Sequence, residues 1–172
     1  MLHGWSSSLG YVLAGSAAAI LCLAALHDVV ARTVPNWMPI ALAAVGIAER
    51  ILDGRVVAGL FAAALVFMLS GACWRRGWLG GGDVKLLAAA ALAVPPMAVP
   101  PFAVAVALAG GVLGLVYLAL GRVIPARAGP SGIGRRMPLL SRALRIESWR
   151  LRRGGPLPYA IAIAAGGLFV LL

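Results

Sequence analysis

The sequence predicts an all-α fold, a polytopic membrane helix bundle of about six transmembrane helices in one domain spanning 1–172, from three observations. The chain of 172 residues is 62% hydrophobic with a mean hydropathy of +0.98 and only 12% charged, where soluble domains carry roughly 25%. So few polar side chains cannot cover a water-facing surface, so lipid must be the solvent. The apolar residues fall in uncharged runs close to the ~20 residues that a membrane helix needs, and the charges between those runs alternate strongly in density.

The elements follow in order. Span 1 covers about 9–27; residues 1–27 contain no Lys or Arg, unlike the basic start of a secretory signal, so it reads as a retained helix. Span 2 is about 33–52, an uncharged stretch extended by Glu49–Leu52, and span 3 is 56–74. The uncharged stretch 86–121 is too long for one helix. Proline breaks a helix interior, so Pro95-Pro96 and Pro100-Pro101 divide it into span 4 (about 83–98) and span 5 (about 101–121). Span 6 is about 157–172. Cys22 and Cys73 are isolated, with no Cys-x-x-Cys pair, and read as small apolar residues within helices.

The formal net charge is +10, but the arginines sit between apolar blocks and do not form a soluble basic face, so no nucleic-acid partner is expected. Lys and Arg accumulate in cytoplasmic loops. Six spans put 28–36, 75–85 and 122–155 on one side, and that side holds all but Arg50 and Arg55 of the 15 basic residues. Both termini are therefore expected to face away from the cytoplasm. Within the cytoplasmic loop 122–155, residues 138–153 space Leu140, Leu144 and Leu151 near helical intervals among arginines. That pattern fits an amphipathic helix on the inner leaflet and a basic connector equally well.

Only five acids occur. Glu49 and Asp53, beside Arg50 and Arg55, are expected to be solvated loop charges, and Glu147 to pair locally with arginines. Asp28 and Asp83 differ. Asp28 ends the apolar run of span 1, and Asp83 follows the third crossing, so topology returns both to one face. Ionisable groups at a membrane edge are functional candidates. Taken singly each has a simpler role, Asp83 capping span 4 and Asp28 pairing with Arg32; two converging acids favour a functional site. Gly80-Gly81-Gly82 before Asp83 permits close backbone approach, and Pro35-Asn36 makes a turn ahead of span 2.

These residues resemble a known family. Asp28-Val-Val-Ala-Arg-Thr-Val-Pro35-Asn36 is similar to the first aspartate motif of the type IV prepilin peptidases. Gly80-Gly81-Gly82-Asp83-Val84-Lys85-Leu86 is similar to their second, the Gly-x-Gly-Asp motif of intramembrane aspartyl proteases. Pro158-Tyr159 resembles an element opening the family's last span. The larger bifunctional members carry a cytoplasmic region with paired Cys-x-x-Cys motifs and also methylate the new N-terminus. No counterpart occurs here, so the resemblance is to the short, peptidase-only form of tight-adherence (Flp-type) pilus systems.

The resemblance implies a plasma-membrane enzyme of a bacterium that cleaves a short basic leader from a prepilin, just before the pilin's hydrophobic helix, on the cytoplasmic side. Asp28 and Asp83 would be catalytic, with Gly80, Gly82, Lys85, Pro35, Asn36, Pro158 and Tyr159 shaping the site or binding substrate. Two carboxylates close enough to share a proton can divide the roles of general base and acid on a water, which needs no metal or other cofactor. Lys85 either orients a substrate carboxylate or anchors span 4 at the headgroups. Two other functions fit paired membrane acids: a small ion- or proton-coupled transporter, and a non-catalytic pilus or secretion assembly subunit.

Overall fold

A computed structural model describes residues 2–123 and 157–171. The expectations for 138–153 and for Glu147 lie outside the described residues. The described chain is all-helical: α1 (Leu2–Ala31), α2 (Trp37–Leu52), α3 (Val56–Arg75), α4 (Gly81–Ala93), a 3-10 turn η1 (Pro96–Ala98), α5 (Val99–Val123) and α6 (Tyr159–Leu171). No strand occurs among the described residues. Ser8–Ala31, Val56–Arg75 and Pro96–Leu120 are long and apolar enough to cross a membrane, and Tyr159–Leu171 is a shorter apolar helix.

Local chemistry sets the boundaries. Arg32 closes α1 in the left-handed conformation (φ 56), its N–H returning to Asp28 O at 2.8 Å, an αL cap of the kind that ends many helices. Residues 33–35 then run outside regular structure, as suits the approach to a proline that disfavours helix in the residue before it, and His27 Nδ1 bonds Thr33 O at 2.8 Å. The turns after α2 and α3 place Gly54 (φ 65) and Gly77 (φ 76) where a side chain would be strained.

The proline-rich segment departs from expectation. Pro95-Pro96 does end the helix before it, but α4 stops at Ala93, shorter than the expected 83–98. Pro100 and Pro101 do not separate elements: they lie in the first turn of α5, where a helix has no N–H bond for proline to lose.

The chain divides into two compact units, Met1–Gly110 with Pro158–Leu172, and Gly111–Leu157. The second contains the latter half of α5 among its described residues. In the first, α4 is the central helix. Residues Val84, Leu86, Leu87 and Ala89–Val94 are buried, and α4 packs against α2, α3 and α6 while α1 packs against α2 and α6. Its alanines leave little side chain between helix axes, as suits packing in lipid, where no hydrophobic force drives helices together. Large apolar residues face outward instead, among them Phe61, Met68 and Leu69 on α3. That inversion is the arrangement of a protein whose solvent is the bilayer.

Candidate active site

Five helix ends meet at one end of the first unit: the C-termini of α1 and α3 and the N-termini of α2, α4 and α6. Asp28 lies in the last turn of α1 and is 6% exposed. Its Oδ2 accepts a hydrogen bond from Ala160 N–H at 3.3 Å. The first N–H groups of any helix lack partners within it, so α6 begins by presenting a donor, and Asp28, 132 residues earlier, takes it. Pro158 stands just ahead of α6, fully buried, and its carbonyl accepts Ile161 N–H at 3.1 Å.

Asp83 arrives from the first turn of α4. Gly80 is the N-cap in extended conformation (φ −75, ψ 147), and the Asp83 carboxylate folds back to hydrogen-bond the Gly80 backbone, a carboxylate at the positive end of the helix dipole. The fit leaves no room for a side chain at Gly80, where a Cβ would stand 2.8 Å from Asp83 Oδ2. The other oxygen, Oδ1, is buried and accepts no hydrogen bond from a described residue, so it keeps its full capacity for a reacting group. Asp83 lies within electrostatic range of Asp28, although 55 residues and the helices α2 and α3 separate them in sequence.

Tyr159 packs between these parts. Its ring lies against α5 at Gly110, where a Cβ would come within 2.8 Å of Cε2, and its hydroxyl is within electrostatic range of Asp83 and Cys73. Gly82 lets the α1–α2 connection press on α4, a Cβ there meeting Val34 Cβ at 3.2 Å. Lys85 makes its contact away from the aspartates. Two residues beyond Asp83, it points to the other side of α4, and its Nζ donates to Asn36 Oδ1 at 2.9 Å. Pro35 accepts Met38 N–H at 3.1 Å, opening α2 beside that bond.

The site residues expected from sequence thus separate into two groups. Asp28, Asp83, Gly80, Pro158 and Tyr159 converge, while Lys85, Asn36, Pro35 and Gly82 fasten α4 to the α1–α2 connection. Four contributors carry no signal in the sequence: the Ala160 N–H, Val34, Gly110 and His27. The first is a backbone group and has no residue signature at all. Glu49 corrects another expectation. It is not a solvated loop charge: Glu49 and Arg50 are 8% and 2% exposed in the last turn of α2, at the opposite end of the unit, whereas Asp53 and Arg55 beside them are exposed.

No curated protein and no solved structure matches the chain. A family profile does: that of the type IV leader peptidase family matches residues 16–115, a stretch that includes Asp28 and Gly80–Asp83 and stops short of Pro158-Tyr159. A match over more than half of the 172 residues, on a membrane-type helical fold, makes the chain a member of the type IV leader peptidase family.

Proposed function

We propose that this chain is a membrane-embedded aspartic endopeptidase that removes the short basic leader from type IV, Flp-like prepilins at the cytoplasmic face, with Asp28 and Asp83 activating water. The observation that carries the reading is that these two carboxylates, from distant helices, lie at one end of the unit within electrostatic range of each other. Asp28 is held by a backbone donor of α6 and Asp83 keeps one buried oxygen uncommitted. Once brought into contact, such a pair would share one proton, because two adjacent like charges do not both ionise readily. The ionised member takes a proton from water as it attacks the scissile carbonyl, and the protonated member donates to the carbonyl oxygen. The roles then reverse as the amine leaves.

The surroundings support an edge-of-membrane protease. Trp37, Trp74 and Trp78 are exposed around this end, and Arg76 lies over the Trp78 ring at 5.4 Å; tryptophans collect at membrane–water interfaces. A prepilin with a basic leader ahead of an apolar helix has its scissile bond at that same depth. The dense Lys and Arg of this side make it cytoplasmic, with both termini opposite. Transporter sites built on broken helices lie near the midplane, a poorer fit to carboxylates at one end.

The test is cleavage of a co-expressed prepilin by wild type, Asp28→Asn and Asp83→Asn at equal membrane abundance. Each substitution is expected to reduce cleavage by about a thousandfold or more. Wild-type cleavage by either variant would falsify the dyad.

A further inference from the structure

At the far end from the aspartates, α4 ends where it cannot complete its own hydrogen bonds. Val94 N–H still reaches Ala90 O at 3.0 Å, but Pro95 and Pro96 have no N–H to offer the carbonyls of Ala91 and Leu92. The backbone also leaves helical geometry at Val94 (ψ 140). In lipid, backbone groups must be satisfied within the protein. Arg50, in the last turn of α2, supplies a donor from outside the helix: its Nη2 stands 3.4 Å from Ala93 O.

The guanidinium is itself held. Nη1 lies 2.9 Å from Asp53 Oδ2 and Nη2 lies 3.4 Å from Glu49 Oε2. Its stem crosses α3 at Gly59, where a Cβ would meet Arg50 Cγ at 2.7 Å. Beside it, α2 touches the end of α4 directly, since a Cβ on Gly46 would come within 2.7 Å of Ala93 N. The cluster borders a cavity of about 580 Å³, room for solvent to reach the ions. A cation at this place also faces the negative end of the α4 dipole.

Charges buried inside a protein are costly unless they are held there for a purpose, yet these cannot act on the reacting groups. Ten residues of helix separate Ala93 from Asp83, about 15 Å at the α-helical rise. What they can do is hold α4. Helix α2 grips it at both ends, through Arg50 at Ala93 and through Asn36 at Lys85, and the residue at the second end that matters is Asp83. A 13-residue helix is a short rigid rod, so an axial slip at one end is passed to the other.

We propose that Arg50, clamped by Glu49 and Asp53, is a positioning residue that fixes the axial setting of α4 and thereby the approach of Asp83 to Asp28. The inference rests on the reading of those two aspartates as the catalytic pair. Its test uses the full chain in lipid nanodiscs with a prepilin substrate and rates expressed per folded, monodisperse molecule. Arg50→Met is expected to lower kcat about tenfold or more, since small misplacements of catalytic groups cost that much, with KM within about twofold. It should also alter the width of the pH–rate profile, which reports the coupling of the two carboxylates. Arg50→Lys should restore much of kcat. A wild-type kcat in Arg50→Met, or a reduced one with an unchanged pH profile, overturns the proposal.

A second measurement needs no substrate. With Cys22 and Cys73 replaced by alanine, spin labels at positions 30 on α1 and 88 on α4 report the placement of α4. Arg50→Met should shift or broaden that distance, and an unchanged distribution overturns the clamp. If instead the dyad variants cleave normally while the distance still shifts, the catalytic reading has failed and the clamp on α4 stands without its role in positioning. Should Arg50→Met fail to accumulate, Asp53→Asn loosens the guanidinium from its exposed side. A twofold or larger fall in kcat with an altered profile supports the proposal, and no change in either overturns it.

Discussion

The Asp83 carboxylate is wedged against its own N-cap, and that contact makes Gly80 the most sensitive neutral position near it. A methyl group there would stand 2.8 Å from Oδ2. The backbone at Gly80 is extended and open to any residue, so Gly80→Ala strains no dihedral and must displace the carboxylate. The expected outcome is normal membrane abundance and thermal stability with cleavage reduced about 10- to 100-fold, measured on purified protein; unimpaired cleavage would mean that Asp83 need not hold this rotamer. At this scale the sequence is readable where identity carries chemistry. Asp28 and Asp83 stand out because acids are few and apolar runs end at them. Ala160 cannot be read, because it acts through an N–H that every residue but proline owns, and only its place at the start of α6 aims that group at Asp28.

Among the elements, α4 concentrates the constraints, being short, alanine-rich and enclosed. Its contact with α2 passes through Gly46, where an added Cβ would meet Ala93 N at 2.7 Å and Leu92 C at 2.8 Å. Both obstacles are main chain and cannot rotate aside. Gly46→Ala should therefore force the helices apart, at about 1–3 kcal/mol of stability by analogy with overpacked cores, seen as a lowered melting temperature in detergent. An unchanged melting temperature would mean that α2 and α4 slide freely past each other. The helices themselves are legible from uncharged runs. Their limits near proline are less so, because proline stops a helix when it falls inside and starts one when it falls in the first turn. Pro95-Pro96 and Pro100-Pro101 look alike in sequence and play these opposite parts. The burial of Glu49 and Arg50 is illegible for a related reason. Beside Asp53 and Gly54 they look like a loop, and only the carbonyl freed at Ala93 gives the guanidinium a place inside.

For the whole molecule the outstanding quantity is orientation, since the proposed function needs Asp28 and Asp83 on the side where prepilins are made. Composition alone is enough to establish a membrane protein, but the sign of its orientation rests on how 15 basic residues are shared between two sides. Helix α3 offers a direct measurement, with exposed positions at both ends: Arg55 just before it and Trp78 just after. In a background with Cys22 and Cys73 replaced by alanine, single cysteines at these positions should react oppositely with a membrane-impermeant maleimide. Arg55→Cys should label in intact spheroplasts, and Trp78→Cys only after permeabilisation. Removing Arg55 takes a positive charge from the outer side, so the substitution reinforces the expected orientation and does not invert it. The reverse labelling pattern would put Asp28 and Asp83 outside, out of reach of a leader still in the cytoplasm. It would remove the prepilin reading even if both aspartates proved essential for some other cleavage.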